Sequence, residues 1–286
     1  MIYDVFAFFN EFELLDIRLH ELSGVVDKFV LAEATRTYTG LLKPLHFDEN
    51  KHLFTDFLDQ ITHVIVDDMP MTPEELDTSL TEKDRRWIES DYQVEDDWIR
   101  ERHQRNQIIR VLGDCDPEDI IIISDADEIV RASIIANLEQ TLCDGSNPVE
   151  QYLNSYYLNI ICTNMPWWGS KIVRRSFLDN ATISEVRFHS PAVSPDCYIR
   201  DGGWHYNFFG GAERIQAKVK AYAHSEFNTP DVTNLENISH RLKNKQDVLG
   251  RDYEYVVKEL TRYNTPKYVM ENLDKFEHLI YKSEYD

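Results

Sequence analysis

The run from Asp119 to Ser124 carries four isoleucines in succession, Ile120 to Ile123, and constrains this chain more than any other feature. It is too short for a helix and has no polar face, so it reads as a strand covered on both sides and central in its sheet. Asp125-Ala126-Asp127 follows directly. In extended backbone, residues two apart project to the same side, so these two carboxylates point at one place just past a buried strand. Ligands of open α/β sheets bind at the carboxyl ends of the strands. A pair of hard oxygen donors there suits Mg²⁺ or Mn²⁺ bridging to a diphosphate. A D-x-D pair arises often by chance in an acid-rich chain, and its placement at the strand end is what gives it meaning.

The surrounding pattern supports a parallel sheet. Apolar runs at Ile2 to Phe9, Lys28 to Ala34 and Ile61 to Val66 alternate with an amphipathic stretch that puts Leu15, Leu19 and Leu22 on one helix face. Strand and helix signals in alternation imply an α/β fold. Met69 to Glu95 has no strand period and reads as an exposed loop with short helical pieces. A helix is predicted from about Glu95 to Leu112, with Trp98, Arg102, Arg105, Ile109 and Leu112 at helical spacing. After the isoleucines come a predicted helix from about Ala132 to Leu142, a turn at Asp144 to Pro148, and β-rich sequence from Val149 to Val173. Pro191, Pro195, Gly202, Gly203, Gly210 and Gly211 punctuate a stretch read as loop-rich, and helical patterns resume near Ala212 and beyond Asp231. With no repeat, low-complexity tract or clean linker, 1–286 reads as a single domain, with a regular alternating part at 1–130, a less regular part at 131–230 and a helical extension at 231–286.

Charge limits the partners. The 51 acidic and 30 basic residues give a net charge of −21 at pH 7, a field that repels nucleic acid and anionic lipid. A phosphorylated ligand would then need a local device, such as a divalent cation or a few placed arginines. The opening MIYDVFAFFNEFELLD has no basic segment and carries acids within its apolar stretch, so neither a signal peptide nor a membrane anchor is read there, and a cytoplasmic location is expected. Cys115, Cys143, Cys162 and Cys197 lack C-x-x-C spacing and are read as reduced thiols.

Several segments together resemble glycosyltransferase family 17. They are FAFFNEFELLDIRLHEL near the start, VDKFVLAEATRTYTG at 26–40, W-x-x-E-x-x-Q-R from Trp98 to Arg105, IIISDADEI at 121–129, and GGWHYNFFGGAERIQAK followed by AYAHSE. The resemblance implies a GT-A fold, a UDP-sugar donor (UDP-N-acetylglucosamine), a glycan hydroxyl as acceptor, a divalent metal, and inversion at the sugar carbon. It also implies that Phe8, Asn10, Glu33 and Thr35 meet the base and ribose.

From the residues themselves, Asn10-Glu11 is a helix entry and Glu33 an acid at a strand terminus. Arg105 suits either bidentate contact with phosphate oxygens or an ion pair with Glu101. His224, in A-H-S-E, and His205 compete for a third metal position beside Asp125 and Asp127, with His224 preferred by resemblance. An inverting displacement needs a carboxylate to take the acceptor proton. Glu213, at the helix start after Gly210-Gly211, is the candidate, with Glu128 and Asp201 in reserve, and its plain alternative is a favourable first-turn glutamate. Trp167, Trp168 and Trp204 suit stacking on a sugar face or core packing. Two rival functions stand beside the transferase. A sugar-nucleotide nucleotidyltransferase would need a glycine-rich basic loop where this chain has FFNEFELLD, and a non-catalytic carbohydrate-binding protein would tolerate loss of Asp127.

Overall fold

The four isoleucines form the middle of the sheet. In the computed structural model, which describes residues 1–82, 85, 96–138, 142–190 and 192–282, β4 (Ile120–Asp125) lies between β1 (Ile2–Ala7) and β8 (Lys171–Arg174). The strand's two faces enter different cores. Ile120 and Ile122 join Phe6, Phe29 and Leu31 against Leu14, Leu15, Ile17, Leu19 and Leu22 of helix α1 (Phe12–Leu22). Ile121 and Ile123 join Val5, Val30 and Ala32 on the other face, where Ile108, Leu112, Ile183 and Val186 cover them. The two-residue period of a strand thus puts every isoleucine in apolar surroundings, each stabilised by about 1.5–3 kcal/mol of burial.

β3 (Ile61–Val66), β2 (Lys28–Ala34), β1 and β4 run in that order and are parallel throughout, giving the Rossmann-like, helix-flanked centre that the alternating pattern implies. Beyond β4 the sheet continues through β8, β6 (Asn147–Ser155), β7 (Ile160–Cys162) and β10 (Tyr255–Val257) by antiparallel pairing. The short β5 (Glu128–Val130) and the long β9 (Ile199–Asn207) pair with each other, and β9 also runs parallel to β6.

β9 overturns the reading of its region as loop-rich. Gly202 and Gly203 lie inside this strand, and a Cβ on Gly203 would sit 2.1 Å from the Ile129 carbonyl oxygen, so glycine here marks close approach of two backbones. Gly210, at φ 95°, instead turns the chain into the following helix.

The remaining helices are α2 (His46–Asn50), α3 (Pro73–Ser79), α4 (Asp96–Asn106), α5 (Ile109–Leu112), α6 (Ala132–Ile135), α7 (Ile183–His189), α8 (Gly211–Ala221), α9 (Leu235–Lys243) and α10 (Lys267–Glu271). The single helix predicted to Leu112 is therefore broken after Asn106, and the segment from 231 contributes a strand as well as helices. Residues 83–84 and 86–95 of the predicted loop, 139–141 of the predicted helix, and Pro191 lie outside the described residues. Cys143 and Cys197 form a disulfide with Cα atoms 5.6 Å apart, which corrects the expectation of four thiols; Cys115 and Cys162 are free. The two partners are 54 residues apart and neither carries a spacing motif, so only tertiary structure pairs them. Among the described residues no helix is long and apolar enough to cross a membrane.

Candidate functional site

A cavity of about 410 Å³ opens at the carboxyl ends of β1, β2 and β4, large enough for a small-molecule ligand. Its walls are the β1 exit (Ala7 to Phe9, with Glu11), the β2 exit loop (Arg36 to Tyr38, with Lys43), and Trp98, Glu101, Gln104 and Arg105 of α4. The remainder comes from Asp125, Ala126 and Asp127, Trp167, Arg187 and Phe188 of α7, and Lys218 with Ala221 to His224 at the end of α8. The aspartate turn is pinned from beneath by Arg18, whose Nη1 donates to the carbonyl oxygens of Asp125 (2.9 Å) and Glu128 (2.7 Å). Nε of the same side chain donates to Asp4 at 2.6 Å, and neither partner of this pair is exposed.

Every oxygen of the aspartate pair faces a cation or a histidine. Arg105 Nη2 lies 2.8 Å from Asp125 Oδ1 and Arg187 Nη2 lies 2.9 Å from Oδ2. Lys218 Nζ is 2.7 Å from Asp127 Oδ2, and His205 Nε2 is 3.5 Å from Oδ1. Burial alone would raise both carboxyls, but the Arg105 and Arg187 guanidiniums hold Asp125, and the Lys218 ammonium with His205 holds Asp127, well below the usual carboxylate range. Both acids are therefore ionised at neutral pH. Along the wall, Arg36, Lys43, Arg105, Arg187 and Lys218 outnumber Glu11, Glu101, Asp125 and Asp127, a local basic excess inside a chain of net charge −21. This is the local device that an acidic chain needs in order to accept an anion.

The donor set fits a divalent ion bound together with a ligand. Among the described residues no group of three or more His, Cys, Asp or Glu side chains is gathered to hold an ion alone. Magnesium-type sites at phosphates use one or two carboxylates and take their other ligands from phosphate oxygens and water, which is what Asp125 and Asp127 can offer.

Of the residues implicated by sequence, Phe8, Arg105, Asp125, Asp127, Trp167 and His224 line the cavity. Arg105 makes the ion pair with Glu101, its Nη2 lying 2.8 Å from Oε1, and the same nitrogen also faces Asp125 on the cavity wall. His224 is exposed, paired through Nδ1 with Glu226 at 2.7 Å and set against the Trp98 ring, and it does not join the aspartates. His205 is the histidine beside Asp127. It is buried behind Trp167, with ring centroids 4.4 Å apart, and its Nδ1 has no hydrogen-bond partner among the described residues.

The other residues are placed elsewhere. Glu33 is fully buried and consumed by the Phe47 amide, Lys43 and His63. Thr35 holds strand-end backbone bonds, and neither it nor Asn10 lines the cavity; the residues just beyond, Arg36 to Tyr38, do. Glu213 is exposed on the first turn of α8 and lies off the cavity wall. Of the two reserves, Glu128 is wholly buried and held by Arg187, Trp167 and Ser170, while Asp201 is held by Arg131 away from the aspartates. Trp204 is core, Trp168 packs against Tyr198, and Trp167 alone of the three lines the cavity. Sequence reasoning missed Arg187 and Lys218 altogether.

The profile of glycosyltransferase family 17 matches residues 1–282. The chain belongs to that family. It is 25% identical over 301 aligned positions to the human β-1,4-mannosyl-glycoprotein 4-β-N-acetylglucosaminyltransferase, and 24% identical to that of Rattus norvegicus, with 95% of this chain and 53% of each relative aligned. The chain thus spans about half the length of the curated relatives it matches. Among solved structures it is similar to a mannosyltransferase from Pyrobaculum calidifontis in complex with GDP-mannose and Mn²⁺ (12% identity, TM-score 0.35, 70% of this chain and 56% of that one). It is also similar to the glucosyl-3-phosphoglycerate synthase of Mycobacterium tuberculosis in complex with Mn²⁺ and UDP-glucose (11% identity, TM-score 0.35, 94% and 91%).

Proposed function

We propose that this family 17 member is a metal-dependent, inverting glycosyltransferase of GT-A type that moves N-acetylglucosamine from UDP-N-acetylglucosamine to a hydroxyl of a glycan acceptor. The observation that carries the reading is the pairing of Asp125 and Asp127 with Arg105, Arg187 and Lys218 around one cavity at the carboxyl end of β4. The donor sugar and the acceptor class come from the similarity to the N-acetylglucosaminyltransferases, which are named for that activity.

In this reading Asp125 and Asp127 hold Mn²⁺ or Mg²⁺ together with the donor diphosphate. Bound there, the ion neutralises charge as the nucleotide departs. The chain's own contribution is electrostatic and positional. Arg105 and Arg187 are anchored by Glu101 and Glu128, which keeps them beside the donor diphosphate when the Asp125 oxygens they now hold turn to the ion. The Tyr222 hydroxyl, on the cavity wall and without a hydrogen-bond partner among the described residues, offers the donor a polar contact. Phe8, Trp98 and Phe188 supply the apolar surface against which a base or sugar ring packs. Glu213 is not carried forward as the base, because it lies off the lining of this cavity.

Calorimetric titration of UDP, with and without Mn²⁺, tests the site. The parent binds UDP more tightly with the metal, and Asp127→Ala abolishes the difference while remaining folded. Equal metal-dependent affinity in parent and variant would mean that the aspartate pair is wrongly assigned. A thermal-shift screen of nucleotide sugars then identifies the donor, since a ligand that binds only the native state raises its melting temperature.

A further inference from the structure

The three cations on the aspartate pair are held unequally. Arg105 and Arg187 have side chains only 2% and 6% exposed, and each is tied by a second carboxylate, Glu101 and Glu128 respectively. Lys218 is 26% exposed. Its ionic partners among the described residues are Asp127 at 2.7 Å and Glu11 at 4.0 Å. It stands on a flexible four-carbon stem, whereas the guanidiniums are planar groups fixed in forks. Among these cations Lys218 alone has solvent beside it, and Glu11 offers it a second carboxylate at 4.0 Å. Of the three ligand oxygens paired with a cation, Asp127 Oδ2 is accordingly the one freed at least cost.

An ammonium 2.7 Å from that oxygen excludes a metal ion from it. Two positive charges on one carboxylate oxygen in a partly buried site repel strongly. An arriving diphosphate reverses the balance, because it brings negative oxygens for both the ion and the lysine. The inference rests on the metal and diphosphate reading above. We propose that Lys218 is a built-in counter-ion that occupies the cation position on Asp127 in the empty cavity. Mn²⁺ then gains this carboxylate only when a nucleotide diphosphate draws the ammonium away, so metal and nucleotide bind as a coupled pair.

The test is a titration with Mn²⁺ alone, followed by the electron paramagnetic resonance signal of the free ion, and repeated at saturating UDP. Without nucleotide the parent binds Mn²⁺ weakly. Lys218→Met binds it at least about tenfold more tightly, equivalent to about 1.4 kcal/mol. The enhancement of Mn²⁺ affinity by UDP shrinks in the same variant, since coupling is reciprocal between the two ligands. Lys218→Arg keeps a cation at the carboxylate and behaves as the parent, as does Lys220→Met on the exposed side of α8. If the parent binds Mn²⁺ with UDP while Lys218→Met leaves nucleotide-free affinity within about twofold, the counter-ion role is overturned and the metal site stands. If the parent binds no Mn²⁺ even with UDP, both readings fall. Failure of both Lys218→Met and Lys218→Gln to fold would make Lys218 a structural partner of Asp127 and would also overturn the proposal.

Discussion

Arg18→Met is the sharpest test of how the aspartate turn is held. Arg18 and Asp4 have no exposed side-chain surface, and Arg18 also donates to the Ser124 hydroxyl and to the carbonyl oxygens of Asp125 and Glu128. Methionine keeps an aliphatic stem but removes the whole guanidinium, including its stacking over Phe6. Asp4 is then a buried carboxylate without its partner, and breaking a buried pair in this way costs about 3–5 kcal/mol. That is a large part of a total stability of about 5–15 kcal/mol. Urea unfolding at pH 7, with a slope of about 3 kcal/mol per molar, should show the midpoint falling by about 1–1.7 M. Arg18→Met/Asp4→Leu should recover much of the loss, because an apolar pair replaces a buried ion pair at little cost. Variant protein that remains folded should also bind UDP with Mn²⁺ less tightly, since two carbonyl oxygens of the turn have lost their anchor. A loss below about 1 kcal/mol for Arg18→Met would refute the argument, for it would mean that Asp4 is satisfied without the arginine.

His205→Ala should weaken Mn²⁺-dependent UDP binding more than His224→Ala does, reversing the order suggested by resemblance, because His205 is the ring beside Asp127; calorimetry on the two variants decides it. Glu213→Gln should retain well over a tenth of parental transfer, whereas loss of a general base costs about 10² to 10⁴ in rate, so a collapse of turnover in folded variant would return Glu213 to the site. Burial and the nearby Arg187, opposed by Glu128, push the Lys171 amine down from 10.5 to about 8. The unfolded chain therefore holds this proton more tightly, and the cost of burying the charge is fully present below pH 8 and fades as pH rises toward 10.5. Lys171→Met should gain on the order of 1–3 kcal/mol in urea unfolding at pH 7 and less at pH 10, and an equal gain at both would show that the amine titrates normally.

The parallel centre of the fold was legible because its inner strands β1, β2 and β4 are largely buried on both faces and so read as mostly apolar runs. Lys28–Ala34 and Ile61–Val66 match their predicted bounds, and the isoleucine run takes the predicted central place. β9 was illegible for a related reason. Its pairing with β5 needs Gly203, where the two backbones close to near contact, while Gly202 leaves room for Val149 of β6, and glycine in a sequence signals a turn at least as strongly as a close approach. The helix from Glu95 was over-extended because Ile109 and Leu112 keep the helical spacing of Trp98, Arg102 and Arg105 across the break that follows Asn106. Arg100, Glu101, Arg102, Gln104 and Arg105 are all buried, and they turn toward the ends of the strands.

The two cations missed by sequence reasoning show what spacing arguments lose. Arg187 is 62 residues from Asp125 and Lys218 is 91 from Asp127, on helices whose patterns look like ordinary amphipathic surface. No local period links them to the aspartates. The constraint that could have found them is charge, not spacing. Two carboxylates sharing the end of a buried strand need nearby positive charge, and a ligand diphosphate adds more negative charge to the same spot. The chain must therefore bring cations there from outside the motif. α7 and α8 are the elements that reach the β4 carboxyl end from the second half of the chain, and each delivers one basic residue beside a buried apolar neighbour, Arg187 after Val186 and Lys218 before Val219. A basic residue next to a buried position on a helix that caps a parallel sheet is thus a stronger site signal than a carboxylate at a helix start, the feature that drew attention to Glu213.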